Sequence, residues 1–222
     1  MALILNIDTA LDTACISLAK DGVVIKFAVN DNQRDHAAWL QPAIKNLLLD
    51  TNTKIEQLSA IGVSNGPGSY TGLRVGLSTA KGLCYALNIP LITRSTLEVM
   101  AFSAKNEATD LICPMIDARR MEVFTAVYDL DLAEIKKPHA CIIDEHSFDS
   151  ILKGHKILFL GNGSEKFQKI CGNSHAVFTK SPLNPAAIAS LTYRNFIGNN
   201  FVEIAYTEPM YLKEFFTIQK GR

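Results

Sequence analysis

The run Ser64-Asn65-Gly66-Pro67-Gly68-Ser69-Tyr70-Thr71-Gly72-Leu73-Arg74-Val75-Gly76 constrains this chain most. It follows an apolar strand pattern, Ala60 to Val63, and opens a helical pattern that continues to about Leu87. Glycine takes positive φ without a steric penalty, so the run can turn sharply. A strand, a glycine-rich turn and a helix start bring unbonded N–H groups together with the positive end of a helix dipole, which suits an anion. The same run sets Gly72, Gly76 and Ala80 four residues apart on one helix face, where a second helix can approach closely. The spacing fits neither the phosphate loop ending in Gly-Lys-Ser/Thr nor the dinucleotide fingerprint. Leu73, Leu77 and Leu83 add an apolar flank. Three readings follow: an anion cradle, a docking face for another chain, or plain packing inside the domain.

Charge and composition narrow the function. Lys plus Arg equals Asp plus Glu at 22 each, which argues against strong independent binding of nucleic acid, where a basic surplus is expected. The 222 residues are 48% hydrophobic, enough for one large domain or two lobes. Asp8 interrupts the N-terminal apolar run, which lacks a basic leader, so a signal peptide is not expected. No uncharged apolar run reaches the length of a membrane span. Cys15, Cys84, Cys113, Cys141 and Cys171 are scattered and odd in number. They read as reduced thiols of a cytoplasmic protein. The histidines form no helical metal pair, so no metal site is expected.

The order of elements is informative. Leu3 to Asp8 reads as a strand, followed by two strands, Ala14 to Ala19 and Val23 to Val29, around an Asp21-Gly22 turn. Asp35 opens a helix carrying Leu40, Ile44, Leu47 and Leu48, with Pro42 inside it. The strand from Ala60, the glycine-rich helix, a short strand at Leu91-Ile92 and a helix from Ser95 or Thr96 to about Ala104 complete a first half. A second half restarts with strands at Leu111 to Ile116 and Glu122 to Tyr128, around the turn Asp117-Ala118-Arg119-Arg120. A weak helix spans His146 to Leu152, and a strand spans Lys156 to Leu160. Gly161-Asn162-Gly163 then leads into a helix from Ser164, and Asn184-Pro185 starts the last helix. His36 reads as a surface or capping histidine. Three strands, helix, strand, helix, with a carboxylate ending the first strand, predicts an α/β, two-lobed actin-like ATPase architecture (ribonuclease H-like), with mixed sheets and flanking helices. The lobes are expected at 1–107 and 108–222, the last residues packing back on the first lobe.

The chain resembles the TsaB (YeaZ) family. The resemblance rests on Ile7-Asp8-Thr9, Gly66 through Gly76, Ala80-Lys81-Gly82-Leu83, Ile89-Pro90-Leu91-Ile92, Ile116-Asp117-Ala118-Arg119 and Pro209-Met210-Tyr211-Leu212. It implies a non-catalytic subunit that pairs with the catalytic relative TsaD in making threonylcarbamoyladenosine at adenosine 37 of tRNA, with a TsaE-like ATPase in the wider assembly. It further implies a homodimer when the partner is missing, tRNA contact only through the complex, and no cofactor of its own, ATP/ADP and Mg belonging to the assembly. In TsaD the stretch after the Ile-Pro-Leu-Ile strand carries two metal-binding histidines. Thr96 and Met100 stand at those places here, and an alcohol and a thioether are poor ligands for such a metal.

The expected partner interface is Tyr70, Gly72, Leu73, Arg74, Gly76, Leu77, Ala80 and Lys81, with a bulky residue at Gly76 breaking pairing and leaving the monomer folded. The candidate vestigial nucleotide-binding residues are Asp8, Thr9, Gly66 and Gly68. Two other classes are weighed: a stand-alone small-molecule kinase or ATPase of the same fold depending on Asp8, and a metallopeptidase, for which the ligands are lacking.

Overall fold

A computed structural model describes residues 1–180 and 183–213. Among the described residues ten strands form two five-stranded sheets. The first half contributes β1 (Leu3–Asp8), β2 (Ala14–Lys20), β3 (Val23–Asn30), α1 (His36–Asp50), β4 (Ala60–Ser64), α2 (Tyr70–Leu87), β5 (Leu91–Arg94) and α3 (Thr96–Ala104). The second contributes β6 (Leu111–Asp117), β7 (Glu122–Tyr128), β8 (Glu134–Ile142), α4 (Asp149–Leu152), β9 (Ile157–Leu160), α5 (Ser164–Gln168), β10 (Ala176–Thr179) and α6 (Pro185–Ile197).

The two sheets repeat one topology. The first runs β3-β2-β1-β4-β5 and the second, read from the other side, β8-β7-β6-β9-β10. In each, the first three strands are an antiparallel meander and the fourth and fifth add in parallel. Asp8 and Asp117 therefore occupy equivalent places, the C-terminal ends of β1 and β6.

Apolar alternation explains the layers. Leu5, Ile7, Ile16, Leu18, Ile61 and Val63 face α1 and α2, which answer with Leu40, Leu47 and Leu77. α1 continues through Pro42. The second core is aromatic. Phe148, Phe159 and Phe167 sit with ring centroids 5.0–5.2 Å apart, offset or edge-on as ring quadrupoles favour.

α6 follows the second sheet in sequence but packs on the first. The Thr192 hydroxyl donates to Asn6 Oδ1 on β1 at 2.7 Å. Gly62 on β4 makes room, since a Cβ there would stand 2.5 Å from both Asn6 Oδ1 and Thr192 Cγ2. Asp21 and Gly22 take positive φ, 49° and 82°, in the expected hairpin turn, and Tyr193 of α6 closes over it. Beyond α6 the chain crosses the first lobe, with the Val202 N–H bonding the Leu91 carbonyl at 3.0 Å.

Two strands were not expected. β8 and β10 lie at the edges of the second sheet. β8 contains Lys136, Lys137 and Pro138 and is mostly exposed, so it carries no apolar alternation. His36 is also corrected: it is buried, 3% exposed.

Candidate partner interface and interlobe cleft

The glycine-rich loop is closed on the chain itself. The Ser69 N–H donates to the Ala10 carbonyl at 2.7 Å, the Met210 N–H to the Asn65 carbonyl at 2.7 Å, and the Thr96 N–H to the Gly66 carbonyl at 2.9 Å. Ser69 caps α2 by accepting from the Gly72 N–H at 3.3 Å. A Cβ on Gly66, whose φ is +121°, would meet the Met210 carbonyl. One on Gly68 would be driven into the Ala10 carbonyl. Thr9 is fully buried, its hydroxyl donating to the Gly72 carbonyl at 2.7 Å. Backbone carbonyls thus crowd the Cα of Gly66 and of Gly68, and the Thr9 hydroxyl is spent on the Gly72 carbonyl. Of the four, Asp8 lines the larger interlobe cavity and Gly68 the smaller.

The small face of α2 also turns inward. Gly72, Leu73, Gly76, Leu77 and Ala80 are buried in the lobe's own core. A Cβ on Gly72 would run into the Thr9 carbonyl, and one on Gly76 into the Thr9 hydroxyl. Close approach is indeed why these glycines are needed, but the neighbour is β1 and not another protein. The expected interface is corrected for these five positions, and so is the expectation that a bulky residue at Gly76 leaves the monomer folded.

Tyr70, Arg74 and Lys81 are engaged by the chain's own tail. Arg74 lies 4.0 Å over the Tyr70 ring and its Nε donates to the Tyr211 hydroxyl at 3.0 Å. The Tyr70 and Tyr211 rings are 5.6 Å apart. Lys81 Nζ donates to the carbonyls of Thr207 and Ala205 at 3.1 and 3.3 Å. Lys213 then reaches Glu122 of the second sheet at 2.6 Å. The Pro209-Met210-Tyr211-Leu212 segment is thus a strap over the N-terminal half of α2.

What α2 leaves exposed is a second set of small residues, Ser78, Gly82 and Ala86, again four apart, with Tyr85 beside them at 84% exposure. Nothing lies within 4 Å of a Cβ placed on Gly82. α1 borders this face with Gln41, Lys45 and Leu49, also four apart and all exposed. Gln41 Nε2 bonds Thr79 Oγ1 at 3.1 Å and ties the two helices together. The signal for this face is the same four-residue spacing, two positions further along.

Between the sheets lie two cavities of about 710 and 580 Å3. The larger is lined in part by Asp8, Asp12, Met100, Glu165, Lys169 and Ile188. The smaller is lined in part by Gln33, Thr71, Asp117 and Arg119. Asn162, in the turn between β9 and α5, lines both. It donates to the Asp12 carboxylate at 3.4 Å and accepts from the Asp117 N–H at 2.9 Å, so one side chain joins the hairpins of the two lobes.

The two equivalent carboxylates differ electrostatically. Burial pushes the Asp8 carboxyl above its ordinary range, and the Ala10 N–H, at 3.1 Å, only partly offsets this. Burial is the largest single influence on Asp117 and acts upward, but the Lys166 ammonium at 2.5 Å and the Arg119 N–H together outweigh it and hold that carboxyl below the ordinary range. Arg119 and Arg120 take positive φ, 70° and 51°, in the turn that follows. Thr96 and Met100 are buried on α3. Among the described residues no three His, Cys, Asp or Glu side chains gather in a way that could hold a metal ion. No helix among them is long and apolar enough to cross a membrane.

A duplicated mixed sheet, a carboxylate ending the first strand of each copy and a cleft between them define an actin-like, ribonuclease H-like protein. The family model described as TsaD, tRNA N6-adenosine threonylcarbamoyltransferase, matches residues 22–202. The chain is 32% identical over 189 residues to the tRNA threonylcarbamoyladenosine biosynthesis protein TsaB of Bacillus subtilis, covering 82% of each. It is 31% identical over 221 residues to the protein of that name from Escherichia coli, covering 95% of this chain and 94% of that one. The solved structure of YeaZ from Pseudomonas aeruginosa superposes with a TM-score of 0.83 at 23% identity, covering 96% of this chain and all of that one. The chain belongs to the TsaB family.

Proposed function

We propose that this chain is a scaffold subunit that pairs with a TsaD-like catalytic subunit for N6-threonylcarbamoylation of adenosine 37 in tRNA, and that it does not catalyse the transfer itself. The observation that carries the reading is the closed glycine loop. One donor that could meet a phosphate, the Ser69 N–H, is spent on the Ala10 carbonyl, and the Asn65 and Gly72 carbonyls of the loop accept from the Met210 N–H and the Thr9 hydroxyl. A loop filled by its own backbone does not favour the stand-alone kinase or ATPase reading. The names of the relatives, which place them in threonylcarbamoyladenosine biosynthesis, supply the process.

In this reading the α1–α2 face is the surface presented to the catalytic partner. Ser78, Gly82 and Ala86 allow a helix of that partner to approach closely, and Tyr85 and Leu49 supply exposed apolar area. Tyr70, Arg74 and Lys81 contribute indirectly, by holding the strap that sets the end of this face. A TsaE-like ATPase, ATP/ADP and Mg belong to the wider assembly, tRNA meets the chain only through it, and the complex works in the cytoplasm.

The test is threonylcarbamoyladenosine formation on tRNA in a reconstituted system, with and without this chain, and with this chain in place of TsaD. Activity only when both are present supports the scaffold. Unchanged activity without this chain, or activity with TsaD omitted, rejects it.

A further inference from the structure

Polar atoms without partners gather at the C-terminal end of β1. Among the described residues, Asn6 Nδ2, Ser17 Oγ, Ser64 Oγ and Thr96 Oγ1 are buried and make no hydrogen bond to the chain. All four residues are at most 1% exposed. The pairing register sets Asn6 of β1 beside Ser17 of β2. The register that joins Ile7 to Val63 brings Ser64 of β4 beside Asp8. Thr96 opens α3, one turn before Met100, which lines the larger cavity.

The strand residues among them share one face of the first sheet. Leu5, Ile7, Ile16, Leu18, Ile61 and Val63 point to α1 and α2. Alternation therefore turns Asn6, Asp8, Ser17 and Ser64 the other way, towards α6. Where that face begins it is apolar, with Ile4, Ala60 and Ile92 clustered against Tyr193 and Phe196. The polar rows start at Asn6 and end at Asp8, which opens into the larger cavity. Packing alone would favour continuing the apolar rows, since a buried polar group is costly unless it is bonded.

Native interiors leave few such groups unpaired, and these do not pair with one another. Cross-strand neighbours such as Asn6 and Ser17 have Cβ atoms about 4.5–5.5 Å apart, yet Asn6 Nδ2 and Ser17 Oγ form no bond. Asn6 Oδ1 is taken by the Thr192 hydroxyl at 2.7 Å, which leaves the amide nitrogen over. The Ser64 hydroxyl stands close enough to act on the Asp8 carboxyl but makes no direct hydrogen bond to it. Polar groups that face each other just beyond bonding distance are a setting for a bridging water.

We propose that the C-terminal end of β1 is a binding site for internal water, an ordered file that enters from the larger cavity at Asp8, passes Ser64 and Thr96, and ends between Asn6 and Ser17 under α6. The mixture of groups selects the ligand. Asn6 Nδ2 only donates, the Asp8 carboxyl offers acceptor oxygens, and the three hydroxyls do both. A cation at the inner end would meet the Asn6 amide hydrogens, and an anion at the outer end would meet the Asp8 carboxyl. Water both gives and takes hydrogen bonds, so it suits every group along the file. The site lies within this chain and does not rest on the scaffold reading.

The experiment is oxygen-17 relaxation dispersion of solvent water on the full chain, which counts waters held in the interior, joined to a crystal structure of the same chain. About one internal water per 27 residues, roughly 8 for a chain of this length, is the general expectation. Ser17→Ala combined with Thr96→Val removes a hydroxyl at each part of the file without adding bulk. It is expected to lower the dispersion amplitude by roughly a quarter, about two waters of that number, with an unchanged circular dichroism spectrum. The crystal structure is expected to show one water within about 3.2 Å of both Asn6 Nδ2 and Ser17 Oγ, and another among Asp8, Ser64 and Thr96. An unchanged amplitude in the variant, a direct bond between Asn6 and Ser17, or no density at these atoms overturns the inference. So does an ion in place of water, recognised by an anomalous signal after soaking with bromide or rubidium.

Discussion

The Thr9 hydroxyl donates to the Gly72 carbonyl at 2.7 Å and occupies the space into which a Cβ on Gly76 would point. One threonine at the end of β1 thus sets the distance of α2 from the sheet. Gly76→Ala is expected to destabilise the monomer by about 1–3 kcal/mol, the usual cost of overpacking a filled core. Thr9→Ala removes the obstructing oxygen, so the double variant is expected to be more stable than the sum of the two single losses predicts, by about 0.5 kcal/mol or more. Denaturant melts of the four proteins give the cycle. If Gly76 served only to receive a partner, the single variant would melt like the parent.

This relationship also marks where the sequence was ambiguous. The glycine spacing on α2 correctly indicated close approach, but spacing along one helix does not say whether the neighbour belongs to the same chain. Thr9, far away in sequence, decides it. The duplicated strand order was legible because the central strands β1, β4 and β9 are mostly apolar. The edge strands β8 and β10 were missed because half-exposed edges lack that signature. The partners of Arg74 and Lys81 in the strap were not legible for another reason. Arg74 and Lys81 look like exposed helix charges until Tyr211 and the carbonyls of Ala205 and Thr207 are brought beside them.

Gly82 separates stability from docking. It lies inside α2 with no neighbour where a Cβ would stand, so a side chain there should help the isolated helix. Gly82→Arg is expected to stabilise the monomer by roughly 0.5–1 kcal/mol, because glycine is among the poorest residues in a helix interior. The same change is expected to weaken pairing with a TsaD-like subunit at least tenfold, since the long side chain fills the approach. Thermal melts read the first effect and isothermal titration the second. Retained pairing would move the partner surface off this face.

The thiols should divide by burial. Burial pushes Cys15, Cys84 and Cys113 up to about 12, and all three are buried where Cys141 and Cys171 are only partly so. The thiolate is the reactive form. Alkylation of the native protein at pH 8 is therefore expected to modify Cys141 and Cys171 alone, with the other three reacting only after denaturation. Peptide mapping by mass spectrometry distinguishes the sets. Fast labelling of Cys84 in the folded protein would mean that α2 separates from the first sheet far more readily than its packing implies.

Asp8 should cost stability at neutral pH. Its carboxyl sits above the ordinary range in the folded chain, chiefly through burial, while in the unfolded chain it titrates near ~3.9. The folded state therefore holds its proton to higher pH than the unfolded state does, and stability falls as pH rises through that window. Asp8→Asn removes the ionisation and keeps an oxygen for the Ala10 N–H, which Asp8 accepts at 3.1 Å. The variant is expected to melt above the parent at pH 7, with the difference shrinking as pH is lowered towards 4. Melting curves of both proteins across that range are the check. A variant less stable than the parent at pH 7 would show that the ionised carboxylate is stabilised by a partner in the cleft, and would return Asp8 to the list of groups that bind something there.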